Sequence, residues 1–271
     1  MATAVGTVRE AVEAAAGALR AAGCDAPRLD AELLIAHALG VERERLLLDP
    51  AMAVEPPAAR AIGELVRRRA RREPVAYVLG RRGFRHVELA VDRRVLIPRP
   101  ETELLVEVAL ELPAGARVHD VGTGSGAVAL AIASERPDLV VSASDASEDA
   151  VAVARANAVR LGLAVPVEHG RGLTEPARGA DLVVANLPYV RRDEWKTLAP
   201  EITRFEPREA LVAGRDGLDA IRSLVDSAPA GLRVALEHSP AQAALVRRML
   251  AAAHSRADLA GRERVTVGCV P

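Results

Sequence analysis

From residue 115 onward, short apolar runs alternate with longer segments of helical periodicity, and this alternation restricts the possible fold more than any other feature. It predicts an α/β fold, with a mainly parallel, doubly wound, Rossmann-like sheet and helices on both faces. The stretch from residue 253 to 260 is short for a further strand. The expected strands are residues 117–121, 139–144, 165–168, 181–186, 232–237 and 264–267, and the expected helices are residues 126–135, 148–161, 217–227 and 240–252.

The region before the alternation shows helical patterns first and then a hairpin pattern at about residues 87–91. Glycines and apolar spacing predict three helices, over about residues 8–22, 29–39 and 57–72. The arginine-rich end of the third helix, residues 67–72, is interpreted as a solvated helix face rather than a contact for RNA or an acidic partner. We therefore expect a helical bundle at residues 1–75, a connecting hairpin and helix at residues 76–113, and the α/β domain at residues 114–271.

Composition excludes several classes of protein. The formal net charge is -1, which offers no global attraction to nucleic acid, and aromatic residues make up only 2% of the chain. Cys24 and Cys269 lack the spacing of metal ligands, so no metal site is expected. No apolar run approaches the roughly 18 residues of a membrane span, and the first residues do not resemble a secretory signal. We expect a cytoplasmic protein without a membrane or a stable nucleic-acid partner.

A glycine-rich segment follows the first strand of the α/β region. We call residues 122–126, Gly-Thr-Gly-Ser-Gly, the glycine loop. Asp120 precedes the loop, and Asp145 ends the next strand, where a carboxylate can accept hydrogen bonds from the two hydroxyls of a ribose. The combination resembles the S-adenosylmethionine site of class I methyltransferases. A nicotinamide dehydrogenase is the main competitor, but the G-x-G-x-x-G fingerprint is not met. The expected cofactor-binding residues are Gly122, Thr123, Gly124, Ser125, Gly126, Asp145 and Asn186.

A second motif, the NLPY segment, comprises Asn186, Leu187, Pro188 and Tyr189 and follows a buried apolar run. The Asn186 side-chain oxygen and the Leu187 carbonyl can accept hydrogen bonds from a planar NH2 group, while Pro188 restricts the backbone and Tyr189 stacks on the substrate. The segment resembles the N/D-P-P-Y/F/W motif of methyltransferases that alkylate a nitrogen conjugated to a π-system. A strand-to-loop turn with a packed tyrosine is the alternative. All four residues are candidate catalytic and substrate-binding residues.

Motifs along nearly the whole chain resemble the bacterial N5-glutamine methyltransferases that modify peptide chain release factors. LIPRPETE before the glycine loop is the most specific of them. They are LDAELL at residues 29–34, PVAYVLG at 74–80, VLIPRPETE at 95–103, DVGTGSG at 120–126, NLPY at 186–189, RFEPREAL at 204–211, LEH at 236–238 and GRERVTVG at 261–268.

The resemblance implies transfer of a methyl group from S-adenosylmethionine to the glutamine of the G-G-Q tripeptide in class 1 release factors. It implies that the helical bundle recognises the release factor. It also implies a lid-like segment at residues 99–102, for which a rigid helix entry is an equal alternative. Glu206 is interpreted as a structural anchor, and His238 as a structural histidine. Other hypotheses are an adenine-N6 methyltransferase acting on RNA or DNA and a non-catalytic binding protein with the methyltransferase fold.

The chain departs from the family pattern at three places. Leu187 replaces the first proline of the tetrapeptide, although any residue supplies the carbonyl. Residues 169–173, His-Gly-Arg-Gly-Leu, lack the acidic residue that the family usually has after the third strand. Ser239 stands where a smaller residue is commoner. The second departure predicts a weaker contact with the adenine of the cofactor.

Overall fold

The computed structural model describes residues 6–271, which divide into two compact units. Within the described residues, the first unit contains residues 6–80 and Ala199–Phe205. The second unit contains Arg81–Leu198 and Glu206–Pro271. The chain therefore passes from one unit to the other after Gly80, after Leu198 and after Phe205.

The first unit is built of short helices around a small apolar core. Thr7 caps the first helix, because its hydroxyl accepts from the Glu10 amide while the Glu10 carboxylate accepts from the Thr7 amide. Two-residue strands, β1 (Gly6–Thr7) and β2 (Ala53–Val54), pair beside it. The helices are α1 (Val8–Ala21), α2 (Pro27–Leu39), α3 (Arg43–Leu48), α4 (Pro56–Ala70) and α5 (Val75–Leu79).

The second unit holds the α/β region and a preceding hairpin of β3 (Arg81–Phe84) and β4 (Val87–Ala90). The other strands are β5 (Arg117–Val121), β6 (Val140–Asp145), β7 (Val167–His169), β8 (Leu182–Ala185), β9 (Arg233–Glu237), β10 (Ala251–Ala257) and β11 (Glu263–Cys269). The remaining helices of the chain are α6 (Glu103–Leu110), α7 (Ala127–Glu135), α8 (Glu148–Leu161), α9 (Glu175–Arg178), α10 (Pro200–Phe205), α11 (Asp219–Ser227) and α12 (Ala243–Arg248), of which α10 lies in the first unit.

Seven strands form the main sheet, in the order β10-β11-β9-β8-β5-β6-β7. The strands from β9 to β7 are parallel, and β11 and β10 are antiparallel to their neighbours. The predicted α/β fold with a mainly parallel doubly wound sheet is thus confirmed. The order reverses at β5, which lies between β6 and β8, and ligands bind at such a switch point. The glycine loop follows β5, and the NLPY segment follows β8.

One element of the sequence prediction is wrong. The helix expected over residues 240–252 ends at Arg248, and Ala251–Ala257 forms β10 at the edge of the sheet. The segment is rich in alanine, which favours a helix, but its backbone pairs antiparallel with β11 from Ala251 to Ala257. Tertiary pairing outweighs the intrinsic helical preference of alanine here.

The arginine-rich end of α4 is not a simple solvated face, so that interpretation is wrong in part. Arg69 is 5% exposed and donates to Asp30 at 2.7 Å and to Glu201 at 2.8 Å. Arg72 also pairs with Glu201, at 2.7 Å. A buried guanidinium requires such partners, because removing an unpaired charge from water is costly. This cluster fixes Ala199–Phe205 within the first unit.

Candidate active site

The glycine loop forms a tight turn between β5 and α7. Gly122, Gly124 and Gly126 all have positive φ values, of 75°, 56° and 85°. Such conformations favour glycine, because a side chain would meet the neighbouring carbonyl oxygen. The amides of Gly122 and Thr123 donate to the carbonyl of Ser144 in β6, at 2.9 and 3.1 Å. The first turn of the loop is thereby fixed to the next strand of the sheet.

Asp145 ends β6 beside this loop, as the sequence predicts. Its Oδ2 accepts from the Gly124 amide and its Oδ1 from the Ser147 amide, both at 2.9 Å. A carboxylate offers about four acceptor positions, so this half-buried group retains capacity for the hydroxyls of a ribose. The Asp145 carboxylate, as a hydrogen-bond acceptor, and the glycine backbone therefore fit a nucleoside such as that of S-adenosylmethionine.

Asp120, the last-but-one residue of β5, is buried beneath the loop and is 1% exposed. Its Oδ2 accepts from the Thr123 hydroxyl at 2.6 Å and from the Ala129 amide at 3.3 Å. Burial raises the pKa of Asp120 to about 7, and these two hydrogen bonds oppose the shift. Asp120 thus joins the loop to the first turn of α7 and takes a structural part in the site.

The glycine loop and the NLPY segment meet directly. Val121 and Ala185, the last residues of β5 and β8, are aligned partners in the parallel ladder. A Cβ atom added to Gly122 would lie 3.1 Å from Cδ2 of Leu187 and 3.9 Å from the carbonyl oxygen of Asn186. The convergence expected from the order of strands is therefore present in the described structure. Leu187, the residue that replaces the first proline of the family, supplies the contact.

The side chains of the NLPY segment point toward two buried polar residues that sequence reasoning did not assign to it. Nδ2 of Asn186 donates to the Thr102 hydroxyl oxygen at 3.0 Å. The Tyr189 hydroxyl donates to Oε1 of Glu237 at 3.2 Å. Burial raises the pKa of the Tyr189 phenol well above its usual range, and the nearby Glu237 carboxylate raises it further. The phenol therefore stays protonated at neutral pH and can donate its hydrogen bond to Glu237.

The backbone after Tyr189 is held by Gln242. Nε2 of Gln242 donates to the carbonyl of Tyr189 at 3.0 Å and to that of Asp216 at 2.8 Å. A Cβ atom on Gly217 would clash with the same Tyr189 carbonyl oxygen, and the φ of Gly217 is 76°. Only glycine permits this approach, so the exit of the NLPY segment is closely packed.

The segment that precedes α6 is anchored by Glu206. Its Oε1 accepts from Arg99 at 2.5 Å and its Oε2 from the amide of Ile97 at 3.2 Å, and the side chain is almost completely buried. Pro100–Thr102 then forms a single 3-10 turn into α6. The anchoring interpretation of Glu206 agrees with these contacts. Residues 99–102 thus form a helix entry in this structure, and the lid-like role that the family resemblance implies stays a prediction.

Two further buried side chains complete the surroundings. His238 is fully buried, and its ring contacts the Ser239 carbonyl at 2.9 Å and the Thr266 hydroxyl at 2.8 Å, as expected of a structural histidine.

Asn157 in α8 was not anticipated. Its amide nitrogen donates to Ser125 at 2.9 Å and to Ala90 at 3.0 Å, so that it ties the glycine loop to the hairpin.

The third strand, β7, ends at His169 without a carboxylate on the following residues 170–173. The His169 side chain is half exposed and contacts the Ala146 carbonyl at 3.1 Å. Glu168 precedes it within the strand, and its Oε1 is buried with no hydrogen-bond partner among residues 6–271. The acceptor that the family usually has after this strand is therefore absent from residues 170–173, and the expected weaker adenine contact stays a prediction.

Comparisons with known proteins match both the helical region and the α/β region of the chain. A family model described as the PrmC N-terminal domain matches residues 10–80, and one described as the methyltransferase small domain matches residues 100–208. The release factor glutamine methyltransferase of Xylella fastidiosa is 43% identical over 258 residues, which cover 90% of this chain and 94% of the relative. That of Burkholderia pseudomallei is 43% identical over 287 residues, with 98% and 99% covered.

A solved structure supports the fold. The catalytic domain of hMettl16, in complex with the MAT2A 3'UTR hairpin 6, is similar with a TM-score of 0.56 and 15% identity. The match covers 77% of this chain and 82% of that one. No helix within residues 6–271 has the length and apolar character that crossing a membrane requires.

Sheet order, glycine loop and NLPY segment together define a class I methyltransferase, whose methyl donor is S-adenosylmethionine. Sequence identity of 43% over almost the whole chain also identifies the family within this class. The chain belongs to the release factor glutamine methyltransferase family.

Proposed function

We propose that this protein transfers a methyl group from S-adenosylmethionine to the N5 side-chain nitrogen of the glutamine in the G-G-Q motif of class 1 peptide chain release factors. Membership of the family supports the substrate. The observation that carries the chemistry is the orientation of the Asn186 side chain, which follows β8 beside the glycine loop. Its Nδ2 donates a hydrogen bond to the Thr102 hydroxyl. This leaves Oδ1 as the acceptor that faces an incoming NH2 group.

The nitrogen of a glutamine amide is a poor nucleophile, because its lone pair is delocalised into the carbonyl. Oδ1 of Asn186 and the carbonyl oxygen of Leu187 would each accept one N–H hydrogen bond, and both bonds would strengthen as positive charge develops on the nitrogen. Pro188 restricts the backbone that directs the Leu187 carbonyl. Tyr189, held by Glu237 and Gln242, would cover one face of the amide.

The glycine loop and Asp145 would hold the cofactor, which supplies an activated methyl group on a sulfonium that leaves as a neutral thioether. The protein then has to align the nitrogen with that methyl group, and the methylated nitrogen would release one N–H proton to water, so that no strong base is required. Alignment of this kind contributes several kcal/mol to rate enhancement, of the order of 7 in favourable cases. The close approach of Leu187 to Gly122 supports such an alignment, because it joins the two halves of the site.

The helical first unit is proposed to recognise the release factor, on the strength of the family model that matches residues 10–80. The net charge of -1 supports a protein partner over stable binding to nucleic acid. We place the reaction in the cytoplasm, where translation termination occurs.

The proposal is tested by incubating a purified class 1 release factor with this protein and S-adenosylmethionine, followed by mass spectrometry of its peptides. The expected result is one added methyl group on the G-G-Q peptide, and none on a release factor whose glutamine is replaced by glutamate. Methylation of adenine in ribosomal RNA, with an unmodified release factor, would favour the adenine-N6 hypothesis instead. Failure to bind S-adenosylmethionine at millimolar concentration would favour the non-catalytic alternative.

A further inference from the structure

The order of the strands determines where the base of the cofactor extends. The strands that carry the two motifs and Asp145 stand in the order β8-β5-β6-β7. The methyl group has to reach the NLPY segment after β8, and Asp145 at the end of β6 is the proposed acceptor for the ribose. The glycine loop lies between them, after β5. A nucleoside that lies along this edge of the sheet therefore extends its base toward the end of β7.

His169 is the last residue of β7 and stands beside Asp145. The two residues are aligned partners in the parallel ladder, so their side chains lie on the same face of the sheet. The Gly170 amide donates to the Asp145 carbonyl at 2.9 Å, which fixes the start of the next loop to β6. The His169 side chain is 52% exposed. The imidazole is thus accessible at the place to which the base extends.

The contact of the imidazole ring assigns a role to each of its nitrogens. Nε2 of His169 lies 3.1 Å from the carbonyl oxygen of Ala146. A carbonyl oxygen only accepts, so Nε2 carries the proton, and Nδ1 of the neutral ring is an acceptor. Oε1 of Glu148 lies 3.8 Å from Nδ1, too far for a hydrogen bond, and the Glu148 side chain is 86% exposed. Nδ1 therefore retains its capacity to accept from a ligand.

Glu168 is the other polar side chain of β7, and the alternation along a strand places it on the opposite face of the sheet. Its aligned partner is Ser144, whose hydroxyl contacts the ring of the buried His119 at 2.9 Å. Oε1 of Glu168 is buried, without a hydrogen-bond partner among residues 6–271. Glu168 therefore does not replace the carboxylate that is missing from residues 170–173.

We propose that Nδ1 of His169 accepts a hydrogen bond from the 6-amino group of the adenine and so selects adenine as the base of the cofactor. The inference rests on the proposed contact of Asp145 with the ribose. A neutral imidazole is a weaker acceptor than the carboxylate that the family usually has, because hydrogen bonds to ionised groups are about twice as strong as neutral ones. A base without the 6-amino group has no proton to donate to Nδ1 at this position.

Calorimetric titration with S-adenosylhomocysteine tests the proposal without turnover. The comparison ligand is its purine riboside analogue, in which a hydrogen atom replaces the 6-amino group. At about pH 8, where imidazole groups are neutral, the wild type is expected to bind S-adenosylhomocysteine about 3- to 10-fold more tightly than the analogue. His169→Phe keeps a flat ring without an acceptor, so it should bind the two ligands equally. An equal Kd for both ligands in the wild type would overturn the proposal, as would an unchanged preference in His169→Phe.

Arg171→Ala is the matched control in the same loop. Arg171 is exposed and forms no hydrogen bond or ion pair within residues 6–271. A guanidinium only donates, so Arg171 cannot accept from the 6-amino group, and its removal should leave the preference for S-adenosylhomocysteine unchanged. If the preference disappears in Arg171→Ala, the loop and not His169 selects the base.

Nitrogen-15 NMR of the imidazole ring provides the second measurement. The signals of His169 are assigned by their loss in His169→Phe, and Nε2 is expected to be the protonated nitrogen of the free protein. Addition of S-adenosylhomocysteine should shift the Nδ1 signal, and addition of the purine riboside analogue should shift it much less. A structural role confined to the contact with Ala146 predicts equal shifts, and that result would contradict the proposal.

These measurements distinguish the inference from the proposed function, because they require neither a release factor nor turnover. A release factor that stays unmodified would contradict the proposed substrate and leave the comparison of the two ligands to decide the role of His169. Asp145→Ala should weaken both ligands by the same factor, since it acts on the ribose. Unchanged Kd values in Asp145→Ala would show that the nucleoside does not lie along this edge, and the inference would be wrong.

Discussion

Asp120 beneath the glycine loop and Glu237 beside the NLPY segment are both 1% exposed, and burial raises the pKa of each to about 7. Their hydrogen bonding nevertheless differs. Asp120 receives a hydroxyl and an amide from its own loop and helix. Glu237 accepts one hydrogen bond, from the phenol of Tyr189, and its Oε2 has no hydrogen-bond partner within residues 6–271.

The glycine loop and the NLPY segment are therefore held in place by different sets of hydrogen bonds. The glycine loop is held by Asp120 beneath it and by Ser144, Asp145 and Asn157 from the next strand and helix of the chain. The NLPY segment depends on Thr102, Glu237 and Gln242, which come from three other parts of the chain. We therefore expect substitutions near the loop to change cofactor affinity and substitutions near the NLPY segment to change turnover.

Asn186→Ala should produce the largest effect on turnover. Loss of one acceptor that acts in the transition state is expected to reduce kcat by about 10²- to 10³-fold. Binding of S-adenosylmethionine should remain measurable by calorimetry, because the Asn186 side chain acts mainly on the accepting nitrogen. Most of the wild-type kcat in this variant would show that Asn186 is not the acceptor.

Asp145→Ala should produce the matching effect on the cofactor side. Loss of charge-assisted hydrogen bonds costs about 1.5–3 kcal/mol, so the Kd for S-adenosylmethionine should rise about 10- to 100-fold. Turnover at saturating cofactor should fall much less than in Asn186→Ala. A variant with an unchanged Kd and a reduced kcat would break the proposed division between the two regions.

The two buried carboxyls should affect stability alike despite their different bonding. A raised pKa means that the stability contributed by each carboxyl is complete below about pH 4 and is lost as the pH rises through about 7. Glu237→Gln and Asp120→Asn should each remove about 3–4 kcal/mol of this pH-dependent loss. Urea unfolding at a series of pH values tests this, and a wild-type pH slope in either variant would show that the carboxyl concerned is not responsible.

Leu187→Pro should have the smallest effect. The variant restores the first proline of the family and keeps the main-chain carbonyl, so kcat should stay within about threefold of the wild-type value. Loss of the packing of Leu187 on the core should lower the free energy of unfolding by about 1 kcal/mol. A much larger fall in kcat would show that the leucine side chain, and not only its carbonyl, shapes the site.

The sheet was predictable because its central strands are apolar runs, and both motifs follow strands that lie side by side. The edge strand β10 was not, since alanine-rich Ala251–Ala257 owes its conformation to pairing with β11. Thr102 and Glu237 stand within quoted motifs, yet their contacts with the NLPY segment join residues far apart in the chain. The sequence shows which types of side chain are present in each motif. Which of these side chains contact one another is determined only by the folded structure.

The assignment of Ala199–Phe205 to the first unit has a consequence for how this protein can be divided. A fragment that begins at residue 81 would keep Glu201 but lose Arg69 and Arg72, the cations that neutralise it. The carboxylate and its short helix would be left without their electrostatic partners. A single cut in the chain therefore cannot separate the two units, because residues of the first unit lie on both sides of Arg81.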